Sequence, residues 1–239
     1  MNLALAFVPA LVVIGILYLW ALKAGDAIHS LARMLGQLLL IGYFLGYIFE
    51  SDSVLVVACV LAVMVFVSSW IALGSVKQKR RALYKRAVLS IFLGGGLTLL
   101  LVTQGVLDLN PWYEPQYMIP LAGMIFANAM NTISLAAERF YSELSMQRTY
   151  EEARNKALQT SLIPIINSLF AVGIVSLPGM MTGQILSGVS PLIAARYQIM
   201  VMCMIFGSAG IASACFLLLL KGENSLSKQG GEAEKSTEP

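Results

Sequence analysis

Leu162 to Gln184, LIPIINSLFAVGIVSLPGMMTGQ, decides how the chain is read. An apolar run of this length suggests a membrane helix. It begins with Pro164, carries Asn167 and Ser168 in its first turns, and reaches Leu177-Pro178-Gly179. Proline has no N–H and pushes the residue before it out of the helical region, so the helix is expected to stop at Pro178. The stretch ahead, Glu138 to Gln159, is charged and also reads as helical. A charged helix joined directly to a broken, Asn-bearing membrane helix suits a device that passes motion from a soluble partner into the bilayer.

Outward from that stretch, the whole chain is apolar. Its 239 residues are 58% hydrophobic and 12% charged, with a mean hydropathy of +0.76. Soluble domains carry about 25% charged residues, so the chain is an integral membrane protein. A net charge of +3 is too small to point to nucleic acid. Cys59, Cys203 and Cys215 lie in apolar runs and form no CxxC pair, which reads as buried structural thiols rather than a disulfide or metal site. Met1 to Leu22 is apolar without a preceding Lys or Arg, so it reads as a first span and not as a cleavable signal.

Seven apolar runs are expected to form an all-α polytopic bundle: Asn2–Leu22, Met34–Phe49, Val54–Ser75, Ala87–Leu107, Tyr117–Ala137, Ser161–Leu177 and Gln198–Leu220. The second is short for a bilayer, which needs about 20 residues, but Ala27 to Arg33 extends it. Lys77, Lys79, Arg80, Arg81, Lys85 and Arg86 crowd the connection between the third and fourth runs. The positive-inside bias places that connection in the cytoplasm. Alternation then sets the N-terminus outside and the C-terminus inside, with Arg196 the one charge against the bias. Residues 1–221 read as one membrane domain. Gly222 to Pro239 is too polar to bury a core and is expected to be a disordered tail.

Some polar residues inside the runs invite chemistry. Asn128, Asn131, Ser134 and Glu138 stand three, three and four apart, so they share one helix face. Such a stripe either lines a substrate pathway or hydrogen-bonds between helices. Asn167 and Ser168 could face it, although Ser168 can instead bond back to its own helix. Pro164 and Pro178 would free the carbonyls of Thr160 and Ile174, and broken helices at membrane depth are typical of transporters. Met180, Met181, Met200, Met202 and Met204 include donors for soft metals, although methionine more often fills gaps in packing. His29, the only histidine, cannot build a zinc site alone. Glu50, Asp52, Asp108 and Glu114 read as solvated loop charges. Gly42 and Gly46, Gly94 to Gly96, and Ser208 to Ala214 are small-residue spacings that suit close packing within a bundle or a homodimer seam.

Within Glu138 to Gln159, Glu152 and Lys156 have the i,i+4 spacing that supports a helix. Phe140, Leu144, Tyr150 and Ala153 leave apolar groups to dock in a partner's groove or lie on the membrane surface.

Ser161 to Ser168 (SLIPIINS), Val172 to Leu192 (VGIVSLPGMMTGQILSGVSPL), Tyr197 to Met202 (YQIMVM) and Pro111 to Asn131 (PWYEPQYMIPLAGMIFANAMN) together resemble the FetB-type permeases. These are membrane subunits of ABC transporters linked to iron export. The resemblance implies a permease of the cell inner membrane, paired two-plus-two with a separate ATPase that holds the ATP and Mg. This chain has no GxxxxGK[ST] phosphate loop of its own, and no bound cofactor is expected. By position the coupling element maps to Glu143–Gln159, with Tyr150, Glu151, Glu152 and Ala153 at its contact. Leu144-Ser145-Met146-Gln147-Arg148 departs from the turn usual there. Asn128, Asn131, Asn167, Pro178 and Gln184 are the residues expected to serve the pathway or its gate, with iron or another metal ion as the substrate.

Two other classes compete. A seven-helix receptor, light sensor or channel would share the topology, but the last run lacks the lysine a retinal protein needs. An intramembrane enzyme would need a nucleophile with histidine or paired carboxylates inside the bilayer, and neither is evident.

Overall fold

The computed structural model of the chain describes residues 3–50 and 53–221, so the tail from Gly222 lies outside the described residues. Those residues form helices and turns with no strand beyond a single bridge, Val172 to Ser176. The chain divides into two compact units, Met1–Ser51 and Asp52–Pro239.

The first unit holds α1 (Val8–Leu19), with Pro9 in its first turn, and α2 (Ala24–Phe49). α2 takes in Ala27 to Arg33 as expected and reaches 26 residues, long enough to span. Neither helix buries a residue. A Cβ at Gly42 or Gly46 would meet open space, so these glycines serve no packing inside the unit.

The second unit holds six helices: α3 (Val54–Ala72), α4 (Lys77–Val106), α5 (Pro115–Ser145), α6 (Tyr150–Ala171), α7 (Gly179–Leu186) and α8 (Pro191–Leu219). α5 is the axle. Its residues Met118, Leu121, Ala122, Ile125, Ala129, Ile133, Ala136 and Phe140 recur at three and four and are all buried, against α3, α6 and α8.

α4 lies close against α8. It widens into π-helix at Phe92–Gly96 and again at Leu101–Val106. At Gly94 an added Cβ would stand 2.5 Å from the backbone nitrogen of Ala212, and at Gly95 it would meet the Phe126 ring at 2.8 Å. In lipid, where apolar surface is no better buried by a neighbour than by acyl chains, backbone approach of this kind holds helices together.

The seven expected runs resolve differently. Five helices are long and apolar enough to cross a membrane: α2, α3, α4, α5 and α8. The first run becomes a shorter apolar helix. The sixth does not stop at Pro178. α6 ends at Ala171, because Val172 turns extended and Gly173 takes φ +84°, a left-handed conformation that glycine adopts without a Cβ clash. Pro178 instead precedes the first turn of α7, so no helical carbonyl at Ile174 is freed. α8 starts at Pro191, seven residues before the expected run, with the Ser190 side chain accepting from the Ile193 N–H. Ser followed by Pro is a helix-start signal, outweighed in the sequence by the charge on Arg196. The thiols differ as well: Cys59 and Cys203 are exposed on the outside of the helices and Cys215 is half-buried, all three free.

Gly94→Ala should therefore destabilise the chain by about 1–3 kcal/mol through overpacking. Gly96→Ala, whose nearest new contact is the Phe92 ring at 3.8 Å, should leave it unchanged. Thermal unfolding of the two variants in detergent checks the difference.

Candidate functional site

α5 and α6 meet at an elbow, Met146 to Thr149, and diverge into a small cleft higher up. The stretch Glu138–Gln159 is thus two helices and not one. α5 ends at Ser145, Gln147 takes φ +59°, and Arg148 donates its N–H to the Glu143 carbonyl. α6 then starts with a capping box: Thr149 Oγ1 accepts from the Glu152 N–H at 3.3 Å, and Glu152 Oε2 accepts from the Thr149 N–H at 3.1 Å. The T-x-x-E spacing at Thr149 was the available signal for this start. Glu152 therefore turns back on Thr149 rather than forward to Lys156, as its i,i+4 spacing suggested. The N–H and hydroxyl of Thr149 hold its carboxyl below the usual carboxylate range.

The elbow is fastened on the inside. Glu143 is buried and ion-paired with Arg139, one turn back on α5, and Lys156 of α6 brings its Nζ to 4.0 Å from the same oxygen. Tyr150 donates its hydroxyl to the Leu217 carbonyl at 2.8 Å, satisfying an end-of-helix acceptor of α8. Burial pushes that phenol's pKa up, with Arg154 opposing. The Phe140 and Tyr150 rings meet edge to face, and Ala153 and Ala157 are fully buried. Tyr150 and Ala153, expected to face a partner, thus serve internal packing. What the elbow shows to the outside is Met146, Gln147, Arg148, Thr149, Glu151 and Glu152.

Above the elbow lies a cavity of about 100 Å³ lined by Asn128, Asn131, Thr132, Ser161, Pro164 and Ser168, with Leu135 and Ile165. Most of its polar hydrogens are already in use, although the Asn131 amide makes no hydrogen bond among the described residues. Asn128 Nδ2 donates to the Met124 carbonyl at 2.8 Å, Thr132 to Asn128 at 2.8 Å, and Ser168 to Pro164 at 2.9 Å. Ser161 donates to Leu158 or shares a proton with Ser213. Side chains that give their hydrogens to their own helix have oxygen lone pairs left to offer. The cleft is a polar surface with free oxygens and no fixed charge, in which the Asn131 amide and one hydrogen of Asn128 remain as free donors.

Only part of the predicted set comes together. Asn128 and Asn131 line the cleft, with Ser168 from α6. Asn167 is exposed and lines no wall of it. Pro178 caps α7, and Gln184 of α7 also stands apart from the cleft, its Oε1 buried without a partner. Ser134 turns away, donating to the Ser75 hydroxyl at 3.3 Å while its carbonyl accepts from Ser75. The methionines disperse: Met181 and Met202 line a separate cavity of about 340 Å³ with Cys203 and Gln198, Met180 is exposed, and Met204 is buried in the core. Among the described residues no three His, Cys, Asp or Glu gather as a metal site.

A multi-pass integral membrane protein with a helical elbow under a polar intramembrane cleft is the class these observations define. The chain belongs to an uncharacterised protein family, UPF0014, whose profile matches residues 1–223. It is 35% identical to the UPF0014 membrane protein slr1647 of Synechocystis, over 76% of each chain. It is 34% identical to the probable iron export permease protein FetB of Escherichia coli, over 94% of this chain and 93% of that one. It is also 34% identical to the protein ALUMINUM SENSITIVE 3 of Arabidopsis thaliana, over 79% of this chain and 73% of that one. No solved structure matches.

The cap makes a pH-dependent prediction. A carboxyl whose pKa is lowered in the folded chain adds stability above its ordinary pKa, and that stability is lost as the pH falls through the lowered value. Thr149→Ala removes the hydroxyl but keeps the N–H, the larger of the two causes, so the Glu152 pKa should rise only part of the way to its ordinary range. The substitution should also cost about 1 kcal/mol of local stability, read as faster amide exchange at Tyr150 to Ala153.

Proposed function

We propose that this chain is the membrane-spanning permease of an ABC transporter, moving iron or a similar metal cation out of the cytoplasm through the α5–α6 cleft. The observation that carries the reading is the cleft's donor set. Thr132, Ser161 and Ser168 direct their hydroxyl hydrogens, and Asn128 one amide hydrogen, to protein acceptors, which leaves oxygens for a cation that must shed part of its water. Without a carboxylate to trap it, the ion can leave again. The name of the Escherichia coli relative supports iron and export. The ATPase, carrying ATP and Mg, would be a separate subunit, since no phosphate loop lies in this sequence. Two permease copies and two ATPases would form the transporter in the cell inner membrane, with the N-terminus outside and the C-terminus inside.

In this reading the elbow is the coupling element. Closure of the ATPases would push on Met146 to Glu152, and the Glu143, Lys156 and Tyr150 fastenings would carry the push into α5 and α8 as one body. Pro164, inside α6, has no N–H for the Thr160 carbonyl, so α6 can bend above the elbow and change the width of the cleft.

Purification of the tagged chain from its native membrane in mild detergent tests the assembly. An ABC ATPase should co-purify, and a crosslinker attached at Met146→Cys should capture it. Absence of an ATPase, or capture only from Ala153→Cys, would sink the coupling assignment.

A further inference from the structure

α4 opens in an unusual electrostatic state. Lys77, Lys79, Arg80, Arg81, Lys85 and Arg86 occupy its first three turns, with no acidic residue in the first turn. Cations at a helix N-terminus oppose the macrodipole, and like charges four apart repel. The loop before them is only Leu73 to Val76, so these charges stand on the helix itself and not on a flexible connection.

Two of the six are held against aromatic rings. Arg80 donates through Nε to the Trp70 carbonyl at 2.9 Å and lies 3.8 Å from the Trp70 ring centroid, and Lys79 stands 4.1 Å from the centroid of Tyr141. Lys77, Arg81 and Lys85 are exposed; Arg81 and Lys85 stand four apart on the α-helix and share one face, and Lys77 stands in the short 3-10 turn, Lys77–Lys79, that leads into it. None of these three has a hydrogen bond or ion pair among the described residues.

Depth along the helix follows from its neighbours. α4 is long and apolar enough to span, so its first turns lie at one membrane surface. Trp70 and Tyr84 meet edge to face, and Tyr84 donates to the Phe66 carbonyl, the kind of aromatic anchor found where headgroups meet acyl chains. Lys85 sits beside that anchor, Arg81 stands about 6 Å further out at 1.5 Å per residue, and Lys77 lies beyond it in the 3-10 turn. The stripe therefore crosses the headgroup layer, and the Lys85 stem can extend back toward it.

We propose that Lys77, Arg81 and Lys85 form a binding stripe for the phosphates of anionic lipid headgroups, which offset the charge repulsion at the start of α4. The stripe concerns neither the cleft nor the ATPase, so it stands apart from the transport reading.

The test uses the purified full chain, without ATPase, in nanodiscs of phosphatidylcholine with and without phosphatidylglycerol. The readouts are the unfolding midpoint and the lipid retained in native mass spectrometry. Phosphatidylglycerol should raise the wild-type midpoint by several degrees and be retained selectively, less so at high salt. The combined variant K77Q/R81Q/K85Q should lose both effects, and K77R/R81K/K85R should keep them. Inorganic phosphate should not replace the lipid. A wild type indifferent to phosphatidylglycerol, or a glutamine variant that retains it equally, would overturn the proposal. So would a preference that appears only when the chain ends at Lys221, which would assign the stripe to the tail acids Glu223, Glu232, Glu234 and Glu238.

Discussion

Backbone and side-chain polar groups inside a bilayer must find partners within the protein, and this constraint governs the second unit of the chain. Ser69, Ser90, Thr98, Thr103, Asn128, Thr132 and Ser168 each donate to the carbonyl four residues back on their own helix. Their hydrogens are thereby removed from interhelical contact. What joins the helices is close packing, with Gly94 against Ala212 as its tightest point, and a few bonds that cross between elements. Ser161 to Ser213 and Tyr150 to Leu217 tie α6 to α8 in that way.

The same constraint gives the cleft its character. Had Asn128 and Thr132 bonded across to α6, the stripe would be a structural seam with no room for a ligand. Because they bond along α5, the space between the helices keeps a polar wall with free oxygens. The elbow below differs in kind: there the buried Glu143 is held by charge, and the Thr149–Glu152 box sets where α6 begins. A rigid elbow beneath a cleft free of fixed charge is a division of labour suited to moving an ion without holding it.

Much of this was legible in the residues. The composition and the long apolar runs of α3, α4, α5 and α8 announced a helical membrane protein, and the spacing of Asn128 and Asn131 announced a shared face. Residue pattern alone did not reveal the elbow, because Ser145 to Arg148 contains neither proline nor glycine and Gln147 adopts a positive φ that polar context does not betray; only the family resemblance put a turn at Leu144 to Arg148. The end of α6 was misplaced because Pro178 is a stronger written signal than Gly173, although the glycine acts first along the chain. Tyr150 and Ala153 were assigned outward since helical periodicity identifies a face but not what covers it. Asn167 and Gln184 were chosen for their chemistry in an apolar run, and only three-dimensional placement separates them from the cleft.

The proposed role of the α5–α6 cleft is to pass a metal cation along its oxygens. It is tested most directly by ATP-driven iron uptake into inside-out vesicles containing the chain and its ATPase, comparing wild type with N128L/T132V. The double variant should assemble and hydrolyse ATP but transport about tenfold more slowly, equivalent to about 1.4 kcal/mol at the barrier. Iron uptake at the wild-type rate in that variant would contradict it.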